Sequence, residues 1–403
     1  MQPTRPGVSN STRFFQHQPV LDGVRGLAWF AVFLGHAGLA PGLAIGQVAM
    51  FVFFGLSGFL ITTVLSVERI RTGHIRLRKF YARRALRLVP ALVAFLAVWV
   101  LVVAIFGHES WVATVPGSSG ASNGVSFSVA VEGAVGALTY LTNWCGLFNI
   151  FSGYVPLGHL WSLAVEEQFY LLWAPLLVVL IAVRRRVATA TAFLLAAASF
   201  VDVVVLQHAH STTPWVFYST DTRSGAFLVG GGVGLLWSDR RALATWWSQV
   251  CTPVAAVGPA VLAWCGWVFA HQVSASTYAT AWILVSVFAP VSVVALVDRR
   301  GAGASWLANP LLTYLGRRSY ALYLWHYVWL TWFHGLGLTG VVLALAATLG
   351  CAEISWRLVE SPCLRLKSRL VPGNQPPGSA DRPSGLDGAS VRSEVPELAG
   401  SSA

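Results

Sequence analysis

Asp22, Arg25 and His36 fall inside one otherwise apolar stretch, Val20 to Ala44. Arg25 follows Asp22 by three positions and His36 follows Arg25 by eleven, or about three helical turns. On an α-helix the three side chains therefore share one stripe. An ionisable group at membrane depth costs on the order of 3 kcal/mol unless it faces a protein interior or a wet cavity. The stripe thus predicts a polar seam aimed at such a cavity. Near its far end sits a titratable imidazole, the side chain best suited to moving protons near neutral pH.

Further positions extend that chemistry. The basic loop Arg69 to Arg87 ends in RKFYARRALR, just before Pro90. A helical reading gathers Arg83, Arg84 and Arg87 on one face, and guanidinium forks suit the phosphates of a nucleotide-like cofactor. Contact with anionic lipid headgroups is the plainer alternative. Residues 158–170 (GHLWSLAVEEQFY) place Glu166 and Glu167 side by side. Adjacent helix positions diverge by about 100°, so one carboxylate is expected in a cavity and the other at the helix start; both resting at the membrane interface is the alternative. Asp221 and Arg223 are the charges of the stretch Tyr218 to Arg223 and either pair with each other or contact substrate. Ser319, Tyr323 and His326, at spacings of four and three, share a helix face, on which His326 is either functional or a satisfied buried histidine. Glu353, Arg357 and Glu360 repeat that spacing and suggest a clamp at the end of the last span, or a wall of a pore. The run Gly55-Leu56-Ser57-Gly58 allows close helix approach.

The elements that must position these residues are membrane helices. Hydrophobic residues make up 55% of the chain and charged residues 11%, with a mean hydropathy of +0.63. Many apolar runs approach the roughly 20 residues that a spanning helix needs, and 18 tryptophans suit aromatic anchoring at two interfaces. Spans are expected near 20–40, 45–67, 88–107, 159–183, 187–207, 223–237, 247–270, 277–297, 311–334 and 337–358. With these ten, every Lys/Arg cluster falls on one side and the alternate connections carry none. The fold class is therefore an all-α polytopic membrane protein of about ten transmembrane helices, with both termini cytoplasmic. The division is a cytoplasmic segment 1–19, a transmembrane domain 20–365 and a disordered cytoplasmic tail 366–403.

Residues 132–150 tempt an eleventh span, but it would export Arg184 to Arg186, so they are expected to be interfacial or re-entrant. Pro116 to Gly124 is expected to be a flexible external loop. Val20 to Ala44 is not a signal peptide, given its internal Arg and His and the lack of a small-residue cleavage site. Five scattered cysteines exclude a disulfide scaffold and argue against a zinc site, so no metal is expected. The formal charge of +11 is segregated to one membrane face, which points to the lipid bilayer rather than to nucleic acid.

Taken in order, Arg25-x10-His36, Phe54 to Ile61 (FGLSGFLI), Arg84-x-x-Arg87 before Pro90, Trp161 to Tyr170 (WSLAVEEQFY) and Ser319 to His326 (SYALYLWH) resemble the acyltransferase-3 family of integral-membrane O-acyltransferases. The resemblance runs from about 17 to 365. It implies transfer of an acyl group, often acetyl, from cytoplasmic acyl-CoA to a hydroxyl of a surface carbohydrate, peptidoglycan, glycolipid or macrolide-type acceptor. The family's functional positions carried over are Arg25, His36, Arg84, Arg87 and Glu353. Larger relatives add a soluble hydrolase-like domain, and this chain is expected to act alone.

Combined with the residue chemistry, the expectation is specific. Arg84 and Arg87, helped by Arg83, hold the CoA phosphates at the cytoplasmic mouth. His36 serves as general base on the acceptor hydroxyl, or carries the acyl group itself. Glu166 or Glu167 orients the ring or holds the sugar, and Arg25 meets a thioester oxygen or phosphate, or pairs with Asp22. Asp221, Arg223, Tyr323, His326 and Glu353 line the passage, and the acceptor is recognised in 108–158. The rival reading is a transporter or flippase using the same cavity, although neither inverted repeats nor paired broken helices are visible.

Overall fold

In the computed structural model, residues 19–106, 127–148, 150, 157–209, 213–238, 249, 252–298 and 305–370 are described. Among these residues the secondary structure is helical and no strand occurs. In chain order the helices are α1 (Pro19–His36), α2 (Ile45–Thr72), α3 (Leu77–Phe106), α4 (Phe127–Leu138), α5 (Thr142–Leu147), α6 (Trp161–Val183), α7 (Arg185–His208), α8 (Thr213–Tyr218), α9 (Thr220–Trp237), α10 (Thr252–His271), α11 (Ala275–Asp298), α12 (Pro310–Arg317), α13 (Ser319–Trp332), α14 (Gly337–Ser355) and α15 (Ser361–Leu370). The loop Pro116 to Gly124 and the tail 371–403 lie outside the described residues, as does nearly all of the N-terminal segment 1–19.

Each of the ten stretches expected to span is helical over most of its length. Six helices, α2, α3, α6 with its preceding turn, α7, α11 and α14 with its extension, are long and apolar enough to cross a bilayer. The chain is a multi-pass membrane protein. Residues 132–150 do not form another span, because α4 and α5 are 12 and 6 residues long and separated by a turn in which Tyr140 adopts a φ of 55°.

Two differences from the sequence expectation matter for the site. The third helix starts at Leu77, eleven residues before the expected 88, and Pro90 lies inside it. Leu, Arg, Lys and Ala are good helix formers, and a proline removes only one backbone donor, so the basic run 78–87 winds into the same helix. Arg84 is thereby carried about 10 Å along α3 from its start, at 1.5 Å per residue. The ninth stretch is divided at Arg318 into α12 and α13. A π-type turn, Trp356–Glu360, ends α14 and turns Glu360 into the interior, where it is 5% exposed.

The core is built around α2, which is buried on most of its surface and packs most extensively on α9. Glycines make this possible. A methyl group on Gly58 would overlap the carbonyl of Phe227, and one on Gly230 would overlap the carbonyl of Gly55. Phe54, Phe227 and Phe169 then stack in sequence, with ring centroids 4.5 Å apart at each step. Helix α1 lies against α12 in the same way, the Gly26 and Gly316 positions touching backbone of the other helix.

Gly58→Ala and Gly230→Ala are each expected to lower stability by about 1–3 kcal/mol, the usual cost of overpacking. Gly350→Ala, in a position where an added methyl meets open space, is expected to leave stability unchanged or slightly raised. Thermal melting of the detergent-solubilised protein compares the three.

Candidate active site

Five helices, α1, α2, α3, α6 and α13, converge on a cavity of about 410 Å³, within the usual size range of ligand sites. Phe80, Arg83, Arg84 and Arg87 of α3 form its basic wall, with Arg25 of α1 nearby. Met50, Phe53, Ser57 and Leu60 of α2 supply an apolar side. Ser162 of α6 and Tyr323 of α13 also line it.

Three consecutive polar residues of α6 serve three different neighbours. Glu166 lines the cavity, where its Oε1 accepts hydrogen bonds from Ser57 Oγ (2.7 Å) and Tyr170 Oη (2.5 Å). Glu167 does not occupy the helix start. Its two oxygens accept from Arg84 Nε at 2.8 Å each, and Oε1 also accepts from Arg84 Nη2. Gln168 turns to the α4–α5 hairpin, donating to the Tyr140 carbonyl (2.6 Å) and to Asn143 Oδ1 (3.0 Å). The Arg84 guanidinium also stacks on the Tyr170 ring at 3.5 Å and reaches Glu166 Oε1 at 3.6 Å.

The arginines differ in their partners. Arg84 lines the cavity, but its guanidinium is held by Glu167, reaches Glu166 and stacks on Tyr170. Arg83 stands 3.9 Å from Glu68. Arg25 and Arg87 line the cavity and form no ion pair with a described residue. Asp22, one possible partner of Arg25, instead faces Arg317 of α12 at 3.6 Å. The positive charge open to a ligand is therefore held by Arg25 and Arg87.

His36 is not part of the cavity lining. Neither glutamate orients it. Its Nδ1 is 2.9 Å from Nε2 of the fully buried His326, whose own Nδ1 is 2.7 Å from the Tyr323 carbonyl oxygen. The two imidazoles are 5.1 Å apart between centroids, and the Tyr327 ring meets His36 edge-on at the same separation. His159, buried, stacks on Tyr327 at 5.0 Å and approaches His326 at 5.4 Å. Tyr323 links the cavity lining to the histidines. Its phenol accepts from Ser162 Oγ (2.5 Å) and donates to the His159 carbonyl (2.5 Å), while its backbone carbonyl holds His326.

Two expected site positions lie elsewhere. Asp221 and Arg223 do not pair, since residues two apart on a helix point away from each other. Asp221 Oδ1 accepts from the Thr222 backbone N–H (2.7 Å) and from Ser219 Oγ. Arg223, fully buried, donates Nε–H to the Phe217 carbonyl (2.8 Å) amid the rings of Trp282, Phe217, Trp161 and Phe51 at 4.2–5.0 Å. Glu353 is the expected clamp: it accepts from Arg318 Nε (2.6 Å), Tyr314 Oη (2.8 Å) and Arg357 Nε (2.6 Å), tying α14 to the α12–α13 junction.

The site residues that sequence reasoning passed over are Ser57, Ser162, Tyr170, His159 and Arg317. All but Arg317 sit inside the quoted motifs, where their hydroxyl or imidazole groups were the available signal. The pairing of Arg317 with Asp22 spans nearly the whole chain and has no local trace.

Comparison with known proteins gives the following. The sequence profile of the acyltransferase-3 family, described as "Acyltransferase domain", matches residues 19–356. "Putative peptidoglycan O-acetyltransferase YrhL" of Bacillus subtilis is 30% identical over 374 residues, covering 88% of this chain and 56% of that protein. "O-acetyltransferase OatA" of Staphylococcus aureus is 29% identical over 365 residues, covering 86% and 57% respectively. The chain thus spans little more than half the length of these relatives. No solved structure matches it.

The Arg84–Glu167 pair is partly buried, its side chains 21% and 15% exposed, and leaving one charge of it unpaired is expected to cost about 1–3 kcal/mol, so Glu167→Ala should reduce the melting temperature. Arg357→Ala, removing a side chain 73% exposed, should cost under about 1 kcal/mol. Similar losses in both would show that the Arg84–Glu167 pair is not what stabilises the α3–α6 contact.

Proposed function

The chain belongs to the acyltransferase-3 family, and from that premise we propose that it is a membrane O-acyltransferase moving an acyl group, acetyl in the simplest case, from acyl-CoA to a hydroxyl of a carbohydrate, glycolipid or macrolide-type acceptor. The glycan acceptor is favoured by analogy with the peptidoglycan named for the Bacillus subtilis relative. The observation that carries the proposal is the cavity in which Arg25 and Arg87 present guanidiniums without carboxylate partners. Two guanidiniums lining one cavity, with no carboxylate within 4 Å of either among the described residues, suit an anionic ligand, and a guanidinium fork matches a phosphate group. A cavity of about 410 Å³ fits a narrow acyl-pantetheine arm better than a whole nucleotide, which leaves the adenosine part at the basic mouth beside Arg83.

In this proposal ten spans cross the bilayer, with both termini cytoplasmic and the mouth near Arg83 on that side. Arg87 and Arg25 bind and orient the anionic part of the donor, and Arg84 keeps the wall in place from beneath. Glu166, held by Ser57 and Tyr170, sets the polarity of the cavity's middle. His36 withdraws the proton of the acceptor hydroxyl as its oxygen bonds to the acyl carbon, and returns that proton to the departing thiol sulfur. The ester and free thiol are the two products. For donor and base to meet, the Ser162–Tyr323 contact between cavity and His36 must open.

His36→Ala is expected to lower acetyl transfer by about 10²–10⁴-fold, the usual contribution of a general base, with the protein still folded. Arg87→Ala is expected to raise KM for acetyl-CoA about 10- to 100-fold, the loss of one charge-assisted contact, with a smaller effect on kcat. Labelled acetyl-CoA and solubilised peptidoglycan fragments, supplied to the purified protein in lipid vesicles, measure both. Unchanged rates in both variants would end the proposal.

A further inference from the structure

The imidazole of His36 does not stand alone. It is the outer member of a linear hydrogen-bonded array, His36 Nδ1 to His326 Nε2 (2.9 Å) and His326 Nδ1 to the Tyr323 carbonyl oxygen (2.7 Å). Proton bookkeeping along this array has one solution for neutral rings. A carbonyl oxygen has no proton to give, so His326 Nδ1 carries the hydrogen and donates it. A neutral imidazole carries only one, so His326 Nε2 is a bare lone pair and must be the acceptor. His36 Nδ1 is then the donor, and its remaining nitrogen, Nε2, is bare.

We propose that His326 is a positioning residue for His36: it accepts the Nδ1–H of His36, fixes the ring's tautomer and direction, and thereby leaves Nε2 as the proton-accepting atom. The inference rests on the reading of His36 as general base and names the partner that makes it one. Three further observations support it. His326 is fully buried, so no water competes for its Nε2. Its Nδ1 is anchored on the backbone of its own helix, so its ring direction is set by the rigid α13. The edge of Tyr327 packs on His36 from the side, leaving rotation about its last bond restricted. When His36 takes up a proton, the Nδ1–H contact becomes charge-assisted and stronger. The glutamates of α6 are bound elsewhere, to Ser57, Tyr170 and Arg84.

Two variants of similar size separate orientation from packing. In His326→Gln the side-chain amide oxygen can take the place of Nε2 as acceptor, whereas His326→Met fills the space and accepts almost nothing. The first readout needs no acceptor substrate: the rate at which diethyl pyrocarbonate modifies His36 in the full chain, followed at that residue by mass spectrometry. His326→Gln should stay within about threefold of the parent, and His326→Met should fall at least about fivefold, as the bare-Nε2 tautomer is lost. The second readout is acetyl transfer from labelled acetyl-CoA, in which His326→Met should lower kcat by about 10- to 100-fold with KM for the donor unchanged, below the full contribution of a general base, and His326→Gln should restore most of it. Equal behaviour of Gln and Met variants in both readouts would overturn the proposal, as would parent-like values in both. If His36→Ala keeps full transfer activity while the modification rates still separate Gln from Met, the general-base reading fails and the array stands.

Discussion

A guanidinium carried about 10 Å along α3 from its start and held between helices is stabilised by a counter-charge, which the contact of Arg84 with Glu167 supplies. Much of the arrangement follows from it. The pair locks α3 to α6, stacking on Tyr170 fixes the height of the arginine, and Tyr170 in turn orients Glu166 through its hydroxyl. With Arg84 held by Glu167, Arg87 one turn further on makes no ion pair within 4 Å among the described residues, although the carboxylates of Glu360 and Glu166 act on its charge, and it lines the same cavity as Arg25. The basic character of the site thus comes from the two arginines that the ion pair leaves over, and not from the cluster as a whole.

Much of this was legible in the residues. Helices were readable because the bilayer imposes one length and one composition on each span, so all ten expected stretches are helical. Where the reading missed, local cues were outweighed by neighbours distant in sequence. Pro90 looked like a helix start, yet α3 runs through it, because the good helix formers before it and the Glu167 contact continue the helix inward. Glu166 and Glu167 were correctly seen to diverge, but only the packed structure shows that one takes the cavity and the other the arginine. The His36–His326 contact joins residues 290 apart. No spacing rule could reveal it, although both histidines had been singled out for their cost within apolar helices. Arg223 is the opposite case: its nearness to Asp221 in sequence suggested a pair, and helix geometry prevents it.

The family membership and the geometry address different parts of the question. The profile match places the chain in the acyltransferase-3 family, and named O-acetyltransferases are similar to it. The distances then separate contacts that tie helices together from groups that line the cavity. Glu167 and Glu353 tie helices together; Arg84 does so while also lining the cavity with Arg25, Arg87, Glu166 and Tyr323; His36 and His326 are bonded to each other outside that lining.

The contact of Ser162 with Tyr323 bears on more than the order of chemical events. A membrane that stores energy as an ion gradient must remain an insulator, and each elementary charge crossing it dissipates about 2.3 kcal/mol per 100 mV. A polar passage open from end to end would be a leak. A phenol and a serine hydroxyl are bonded to each other and onto the His159 carbonyl, and the cavity whose lining includes both does not extend to His36 among the described residues, so this structure holds no polar passage of that kind between the two.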